Sequence, residues 1–180
     1  MIDLLEIEGA LDSAMVERLR GEMAAAAGEP ATVLGTTPQH RVASSARKAA
    51  QVAVGEAARA VVVRLLDRLQ GRIDAHFGRS LDGFDDPQFL RYGPGDYFVA
   101  HQDGNTPLVH DESRFRKVSV VIFLSAPGTF GGGSLVLHAE PPLTLAPAPG
   151  TLVAFPSETT HEVLPITHGQ RLSIVSWYRG

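Results

Sequence analysis

The sequence predicts a mostly β protein with N-terminal helices and a jelly-roll core. Two observations carry this prediction. The amphipathic helical patterns lie before residue 87, and seven short runs of β-branched and aromatic residues follow it, separated by turn residues. Strands that succeed one another without intervening helices indicate an antiparallel sandwich or barrel, and they disfavour a doubly wound parallel sheet. We therefore expect an antiparallel core with two helices packed on one of its sheets.

Two segments of the first half have the helical pattern. Apolar residues recur at helical spacing from Leu11 to Ala27, with Asp12 or Ser13 as the capping residue. The stretch from Ala49 to Phe77 is long, amphipathic and rich in Ala, Val and Leu. A loop or a short strand is expected between the two helices.

The strands of the second half are short, and turn residues separate them. No repeat, linker or low-complexity tract interrupts the chain. Residues 1–180 are therefore expected to form a single domain, with residues 1–86 as mainly helical support and residues 87–180 as the jelly-roll core that carries the active site. The predicted strands are Gln88–Tyr92, Tyr97–Asp103, Val118–Leu124, Ser134–His138, Thr151–Phe155, His161–Leu164 and Arg171–Tyr178.

Composition excludes several classes of function. Sixteen Lys and Arg against twenty Asp and Glu give a net charge of -4, without the basic footprint that nucleic acids attract. The chain has no cysteine, so any metal must be held by His, Asp or Glu. The charges within Ala49–Leu66 argue against a membrane span. Because the N-terminal residues carry acids and lack the pattern of a leader, we expect a cytoplasmic protein.

Three pairs of the type His-x-acid are candidates for metal binding, because residues i and i+2 of a strand point to the same face. The second pair lies in a polar loop and the third precedes two prolines, so we expect both to be exposed. Only the first pair ends an aromatic-rich strand before a glycine turn, where both side chains are expected to face inward at a rim. The pairs are, in chain order, His101/Asp103, His110/Glu112 and His138/Glu140.

The third metal ligand must come from elsewhere in the chain, and His161 is the best candidate because it begins a strand after a polar loop. Arg171 opens the last strand, where alternation places it on one face with Ser173, Val175 and Trp177. Both faces of this strand are largely apolar. Arg171 therefore either pairs with a carboxylate, from the protein or from a ligand, or extends to solvent from the strand end.

Several fragments of the second half follow one another in a specific order and spacing. They read RYGPGDYFVAHQDG, GGGSLVLH, PGTLVAF and HEVLPITHGQR, and the closing strand comes after them. Over Gln88–Tyr178, about half of the chain, they resemble the prolyl-4-hydroxylase-like group of 2-oxoglutarate- and Fe(II)-dependent oxygenases. The N-terminal helices are less diagnostic.

This resemblance implies a double-stranded β-helix, the cupin-like form of the jelly roll, with Fe(II) held by His101, Asp103 and His161. Two imidazoles and one carboxylate form a facial triad, which leaves room on iron for a bidentate 2-oxo acid and for O2. An apolar surrounding is expected to keep water away from the oxidising centre. The side chains expected to form it are Val99, Val121, Phe123, Phe155 and Trp177.

The resemblance also implies how 2-oxoglutarate is bound. Arg171 would pair with the distal carboxylate, Ser173 would complete this clamp, and the hydroxyl of Tyr92 would reach the co-substrate. The planar guanidinium of Arg171 suits a carboxylate better than a Lys ammonium would. The chain departs from the family pattern at Ser119 and Phe123, where relatives often carry Thr and Tyr, so one hydroxyl contact to the co-substrate is missing.

The activity implied is hydroxylation of an unactivated C–H bond, with succinate and carbon dioxide as co-products. A prolyl residue of a peptide or protein is the leading substrate, and a small molecule stays open. Two alternatives also stay open: a jelly-roll module that binds a metal or small acid without turnover, and a zinc-dependent hydrolase that uses the same triad. No nucleic-acid or membrane partner is expected. The loops Gly104–Lys117 and Thr36–Lys48 are expected to border the entrance.

Overall fold

Two facing antiparallel sheets, two further two-stranded sheets and two helices make up the computed structural model of the protein, which describes residues 2–31, 33–34, 40–41, 46–107 and 110–180. In these ranges the helices are α1 (Ser13–Ala25) and α2 (Glu56–Phe77), with a short 3-10 helix at Glu112–Phe115. The strands are β1 (Leu5–Ile7), β2 (Gly28–Pro30), β3 (Val33–Leu34), β4 (His40–Arg41), β5 (Arg47–Lys48), β6 (Ala50–Val52), β7 (Gln88–Tyr92), β8 (Tyr97–His101), β9 (Arg116–Phe123), β10 (Phe130–Gly132), β11 (Leu135–Leu137), β12 (Leu143–Leu145), β13 (Leu152–Pro156), β14 (His161–Val163), β15 (Ile166–Gly169) and β16 (Arg171–Arg179).

The major sheet has the strand order β1-β13-β9-β16-β7-β6-β2, and the minor sheet has the order β12-β11-β14-β8-β5. Both helices pack on the outer face of the major sheet, where Leu19 and Leu66 share one apolar core with Ile122 and Ile174. A second apolar core, which includes Phe155, lies between the two sheets. The predicted jelly roll with two helices on one sheet is therefore confirmed.

Helix α1 begins as expected, because the Asp12 carboxylate accepts a hydrogen bond of 2.8 Å from the backbone N–H of Met15. The prediction that a helix starts at Ala49 is wrong. Residues 50–52 form strand β6, which pairs with β2 and β7, and α2 starts only after Gly55. Strand pairing buries Val52 in the helix-side core, and a short apolar run cannot be assigned to helix or strand from periodicity alone.

All seven predicted strands of the second half are present, and their ends differ from the prediction by at most two residues. Among the described residues, the structure also contains nine strands that were not predicted from the sequence, each two to four residues long. Six of these lie before residue 87, and β1, β2 and β6 extend the major sheet while β5 extends the minor one. The first half therefore contributes sheet edges as well as helices.

Strand β16 lies in the middle of the major sheet, between β9 and β7. Its side chains alternate as predicted: Leu172 and Ile174 belong to the helix-side core, whereas Arg171 and Ser173 line a cavity between the sheets. The helices thus pack on one face of this strand, and polar side chains of the cavity lie on the other.

Over the described ranges, no helix is long and apolar enough to cross a membrane.

Candidate metal centre

The three predicted metal ligands come together between two paired strands of the minor sheet. His101 ends β8 and lies opposite His161, the first residue of β14. The Asp103 carboxylate lies between the two rings: His101 Nε2 is 3.4 Å from Oδ1, and His161 Nε2 is 3.4 Å from Oδ2. One potential ligand atom from each residue lies within 4.8 Å of the others. Two imidazoles and one carboxylate therefore converge in the geometry of a divalent-metal site.

Backbone carbonyl groups fix the orientation of both imidazole rings. His101 Nδ1 lies 2.7 Å from the carbonyl oxygen of Val99, and His161 Nδ1 lies 2.8 Å from that of Thr159. A carbonyl oxygen can only accept, so each Nδ1 carries a proton and donates it. In the neutral ring, Nε2 then presents a lone pair towards Asp103, which is how metal-binding histidines are usually held.

The chemistry of the donor set fits a metal ion. His101 Nε2 is buried and has no hydrogen-bond partner in the described part of the chain, which a ligand role would explain. Burial lowers the pKa of His161 to about 4 against the opposing charge of Asp103, so this ring is neutral at physiological pH. Burial opposes the ionisation of Asp103, but His161, His101 and Arg116 together hold the pKa of this carboxyl below its usual value. The triad thus offers one carboxylate and a neutral His161 imidazole.

Arg171 begins β16 and is buried, with 3% of its surface exposed, so it does not extend to solvent. Its Nη1 donates a hydrogen bond of 3.0 Å to Ser173 Oγ, and among the described residues no carboxylate lies within ion-pair distance of it. The guanidinium carbon lies 5.4 Å from the ring centres of both Tyr92 and Phe123. Burial lowers the pKa of Arg171, and a buried cation with so few partners favours an anionic ligand.

Tyr92 lies opposite Arg171 in the pairing of β7 with β16, and its side chain is buried. The six predicted site residues all line one cavity between the sheets, which contains about 420 Å³ of space not filled by atoms, part of it open to solvent. The structure therefore brings together every residue that the sequence singled out for this site. These residues are Tyr92, His101, Asp103, His161, Arg171 and Ser173.

We expect Tyr92→Phe to weaken 2-oxoglutarate binding by about 0.5 to 1.5 kcal/mol, the contribution of one hydrogen bond, without unfolding the protein. The hydroxyl is the only group removed, and the ring keeps its packing beside Arg171. Calorimetric titration of the Mn(II)-loaded protein with 2-oxoglutarate measures the effect. Unchanged affinity together with a lower melting temperature would show that Tyr92 only packs.

One expectation about the apolar surroundings is wrong. Val99 is 41% exposed, and Phe98 takes the predicted place, with its ring stacked on that of His101 at a centre distance of 3.5 Å. The cause is an irregularity in the pairing of β14 with β8, where His161 faces His101 but Val163 faces Phe98. A bulge of this kind shifts the alternation of side chains by one residue. Among the other expected side chains, Val121 and Trp177 line the cavity, Phe155 contacts His161, and Phe123 lies beside Arg171.

The four residues of the remaining His-x-acid pairs are all exposed, as expected. His138 pairs with Glu162 at 2.9 Å on the surface, and His110 and Glu112 are exposed. Within the described ranges, the only cluster of three or more potential metal ligands is the triad of His101, Asp103 and His161.

Sequence reasoning missed one charged side chain of the cavity. Arg47 is buried, its guanidinium lies 4.8 Å above the ring of Phe98, and its Nη1 donates a 3.4 Å hydrogen bond to Gln88. It lies on β5, whose two residues are too short to give a strand pattern. Arg47 belongs to the predicted entrance loop Thr36–Lys48, most of which lies outside the described residues.

The C-terminal end of the other predicted entrance loop, Gly104–Lys117, lies beside the site. The guanidinium of Arg116 stacks over the ring of Trp177 at 3.7 Å and pairs with Asp85 at 2.8 Å. Residues 108 and 109 of this loop lie outside the described ranges. Arg116 and Trp177 also line a second, larger cleft of about 1170 Å³ beside the metal centre.

Fold and site together define a double-stranded β-helix protein with a two-histidine, one-carboxylate metal centre and a buried arginine. The family model of the 2OG-Fe(II) oxygenase superfamily matches residues 87–179, slightly more than half of the chain. The protein belongs to this superfamily. Membership implies Fe(II) as the metal, 2-oxoglutarate as the co-substrate and O2 as the oxidant, and the His-Asp-His donor set fits iron.

Similar sequences include bacterial hydroxylases. A PKHD-type hydroxylase of Sphingopyxis alaskensis is 37% identical over 92 residues, which cover 51% of this chain and 42% of the relative. A PKHD-type hydroxylase of Shewanella sp. strain MR-7 is 33% identical over 124 residues, which cover 65% of this chain and 54% of the relative. The chain thus matches about half the length of these relatives or less.

Solved structures show the same fold along the whole chain. A prolyl-4-hydroxylase of Pseudomonas putida has a TM-score of 0.76 at 24% identity, covering 99% of this chain and 93% of its own. A prolyl hydroxylase of Trichoplax adhaerens, in complex with a peptide fragment of the hypoxia inducible factor oxygen degradation domain, has a TM-score of 0.74 at 19% identity, covering 99% of this chain and 84% of its own. The predicted double-stranded β-helix is therefore confirmed.

Proposed function

We propose that the protein is a 2-oxoglutarate- and Fe(II)-dependent dioxygenase that hydroxylates an unactivated C–H bond. The observation that carries this proposal is one cavity in which a buried arginine without a carboxylate partner among the described residues faces the metal-binding triad. In this reaction one atom of O2 enters the substrate and the other enters succinate, and the 2-oxo acid loses carbon dioxide. Iron, when bound, supplies the redox chemistry.

The protein's own residues would bind the metal, orient the co-substrate and shield the site from water. His101, Asp103 and His161 hold the metal on one side and leave positions for the 2-oxo acid and O2. Arg171, with its guanidinium fixed by Ser173, binds the distal carboxylate of 2-oxoglutarate and so sets the direction in which the co-substrate lies. Apolar side chains of the cavity would reduce the access of water to the metal. They are Leu90, Phe98, Val121, Leu135, Val163 and Trp177.

A prolyl residue of a peptide or protein is the proposed substrate. The supporting observation is that Trp177 lines both the metal cavity and the larger neighbouring cleft, so a peptide bound in the cleft would lie next to the cavity. Gln88 on the wall of this cleft offers a side-chain amide for a peptide backbone. The complex of the Trichoplax hydroxylase with a peptide fragment agrees with such a substrate. The cytoplasmic location stays a prediction.

Of the two alternatives left open by the sequence, the zinc-dependent hydrolase has less support. Among the described residues that line the cavity, Asp103 is the only carboxylate and both histidines belong to the triad, so a hydrolase would lack a separate general base. A binding module without turnover needs the same triad and arginine, so only an assay of turnover separates it from an oxygenase.

We expect anaerobic addition of Fe(II) and then 2-oxoglutarate to produce a metal-to-ligand charge-transfer band in the visible spectrum. Addition of O2 with proline-containing peptides should then give succinate, together with a peptide whose mass has increased by one oxygen atom. Peptides with alanine in place of proline serve as the matched control. The band without succinate formation on any substrate would indicate a binding module, and retained zinc with indifference to 2-oxoglutarate would indicate a hydrolase.

A further inference from the structure

Two buried serine hydroxyls lie in line behind the Asp103 carboxylate. Ser119 on β9 places its Oγ 2.7 Å from Asp103 Oδ2, and Ser157, just after β13, places its Oγ 3.0 Å from that of Ser119. Ser119 is 1% exposed and Ser157 is 0% exposed, so water does not replace either contact. The oxygen Oδ2 therefore has a fixed hydrogen-bond donor from the major sheet.

The direction of both hydrogen bonds follows from the chemistry of the groups. An ionised carboxylate only accepts, so Ser119 donates its single hydroxyl proton to Asp103. Ser119 then has only acceptor capacity left towards Ser157, and Ser157 must be the donor of the second bond. Hydrogen bonds in such a chain polarise one another, so Ser157 strengthens the donation by Ser119.

The backbone of Ser157 holds the same ligand from a second direction. Its carbonyl oxygen accepts hydrogen bonds of 2.8 Å from the N–H of Asp103 and 3.2 Å from the N–H of Gly104. Two residues further along the same loop, the carbonyl of Thr159 orients His161. This loop thus fixes the main chain at Asp103, while Ser119 fixes its side chain.

We propose that Ser119, supported by Ser157, is a positioning residue that makes Asp103 a one-oxygen ligand. Because Ser119 engages Oδ2, Oδ1 is left as the oxygen that binds the metal. A carboxylate free to rotate can bind a metal through both oxygens, and it would then occupy a position that the bidentate 2-oxo acid or O2 needs. The inference rests on the proposed function, since it concerns the same metal.

Valine and threonine at position 119 have nearly the same shape and differ in the hydroxyl, so they form the decisive pair. We expect Ser119→Val to weaken Mn(II) binding about 10- to 100-fold, the usual effect of removing a group that orients a metal ligand, and Ser119→Thr to stay close to wild type. With Mn(II) saturating, Ser119→Val should also bind 2-oxoglutarate more weakly, because Asp103 then competes for its coordination position. Ser157→Ala should change both affinities in the same direction and by less.

Calorimetric titration with Mn(II), and then with 2-oxoglutarate, measures these affinities, and thermal unfolding of the metal-free proteins tests the fold. Ser176→Ala is the matched control, since that buried hydroxyl donates to the carbonyl of Asp85 instead. Ser157→Ala decides the question if Ser119→Val does not fold.

Wild-type affinities in Ser119→Val, or equal losses in Ser119→Val and Ser119→Thr, would overturn the positioning role while leaving the proposed function intact. If Ser119→Val does not fold, wild-type affinities in Ser157→Ala would overturn it in the same way. Failure of the wild-type protein itself to bind Mn(II) would overturn both.

Discussion

Replacement of any one of His101, Asp103 and His161 by alanine is expected to abolish iron binding at micromolar metal. Each residue supplies one of the three donor atoms that lie within 4.8 Å of one another, and the described residues contain no other such cluster that could substitute. Two remaining donors cannot hold Fe(II) against water at this concentration. Anaerobic calorimetric titration with Fe(II) measures the loss.

His110→Ala and His138→Ala are the controls for this experiment, because both remove a histidine of the same His-x-acid pattern outside the cluster. We expect both to bind iron like the wild type. Melting temperatures of the metal-free proteins separate loss of the ligand from loss of the fold. Retained iron binding in an alanine variant of any triad residue would refute the ligand set.

The second large effect is expected at Arg171. Removal of its guanidinium in Arg171→Ala should weaken 2-oxoglutarate binding by about 2 to 5 kcal/mol, or roughly 30-fold to several thousand-fold, because a carboxylate loses its charged partner in a buried site. Iron affinity should stay near wild type, since Arg171 is not part of the triad. Arg171→Lys should recover part of the loss, because the charge remains and the planar fork does not. Titration of the Mn(II)-loaded variants with 2-oxoglutarate gives the affinities.

Arg91 offers a matched control on the neighbouring strand. It lies opposite Leu172, and its Nη1 donates hydrogen bonds to the carbonyl groups of Met23 and Ala26 at the end of α1, away from the cavity. Arg91→Ala should therefore leave 2-oxoglutarate affinity unchanged, even if it lowers the melting temperature. Wild-type affinity in Arg171→Ala, or a loss explained entirely by unfolding, would contradict the clamp.

The face on which each β16 residue lies could be predicted because strand alternation is a local property, whereas the roles of Tyr92, Arg171 and Ser173 followed from the family resemblance. Alternation along β16 correctly separated Arg171 and Ser173 from Leu172 and Ile174. The same reasoning failed at Val99, since a bulge depends on the partner strand and leaves no mark in the strand's own sequence.

The contacts that support the site could not be predicted, because they join distant segments. Ser119 is 16 residues from Asp103 and 38 from Ser157, so only the completed register of the two sheets brings the three together. Arg47 enters the cavity from a two-residue strand that gives no periodic signal. The predicted start of α2 at Ala49 is wrong for a related reason. Residues 50–52 pair with the neighbouring strands β2 and β7, and this pairing leaves no mark in the local helical pattern.

The division of the apolar interior by the major sheet has a consequence for how this chain can diverge during evolution. Helices α1 and α2 need only present an apolar stripe to the outer face of the sheet, and many sequences satisfy that demand. The inner face must keep particular side chains at particular registers. We therefore expect exchanges between apolar residues of the helical layer to disturb the protein less than exchanges on the inner face of the major sheet, where Arg171 and Ser173 line the cavity.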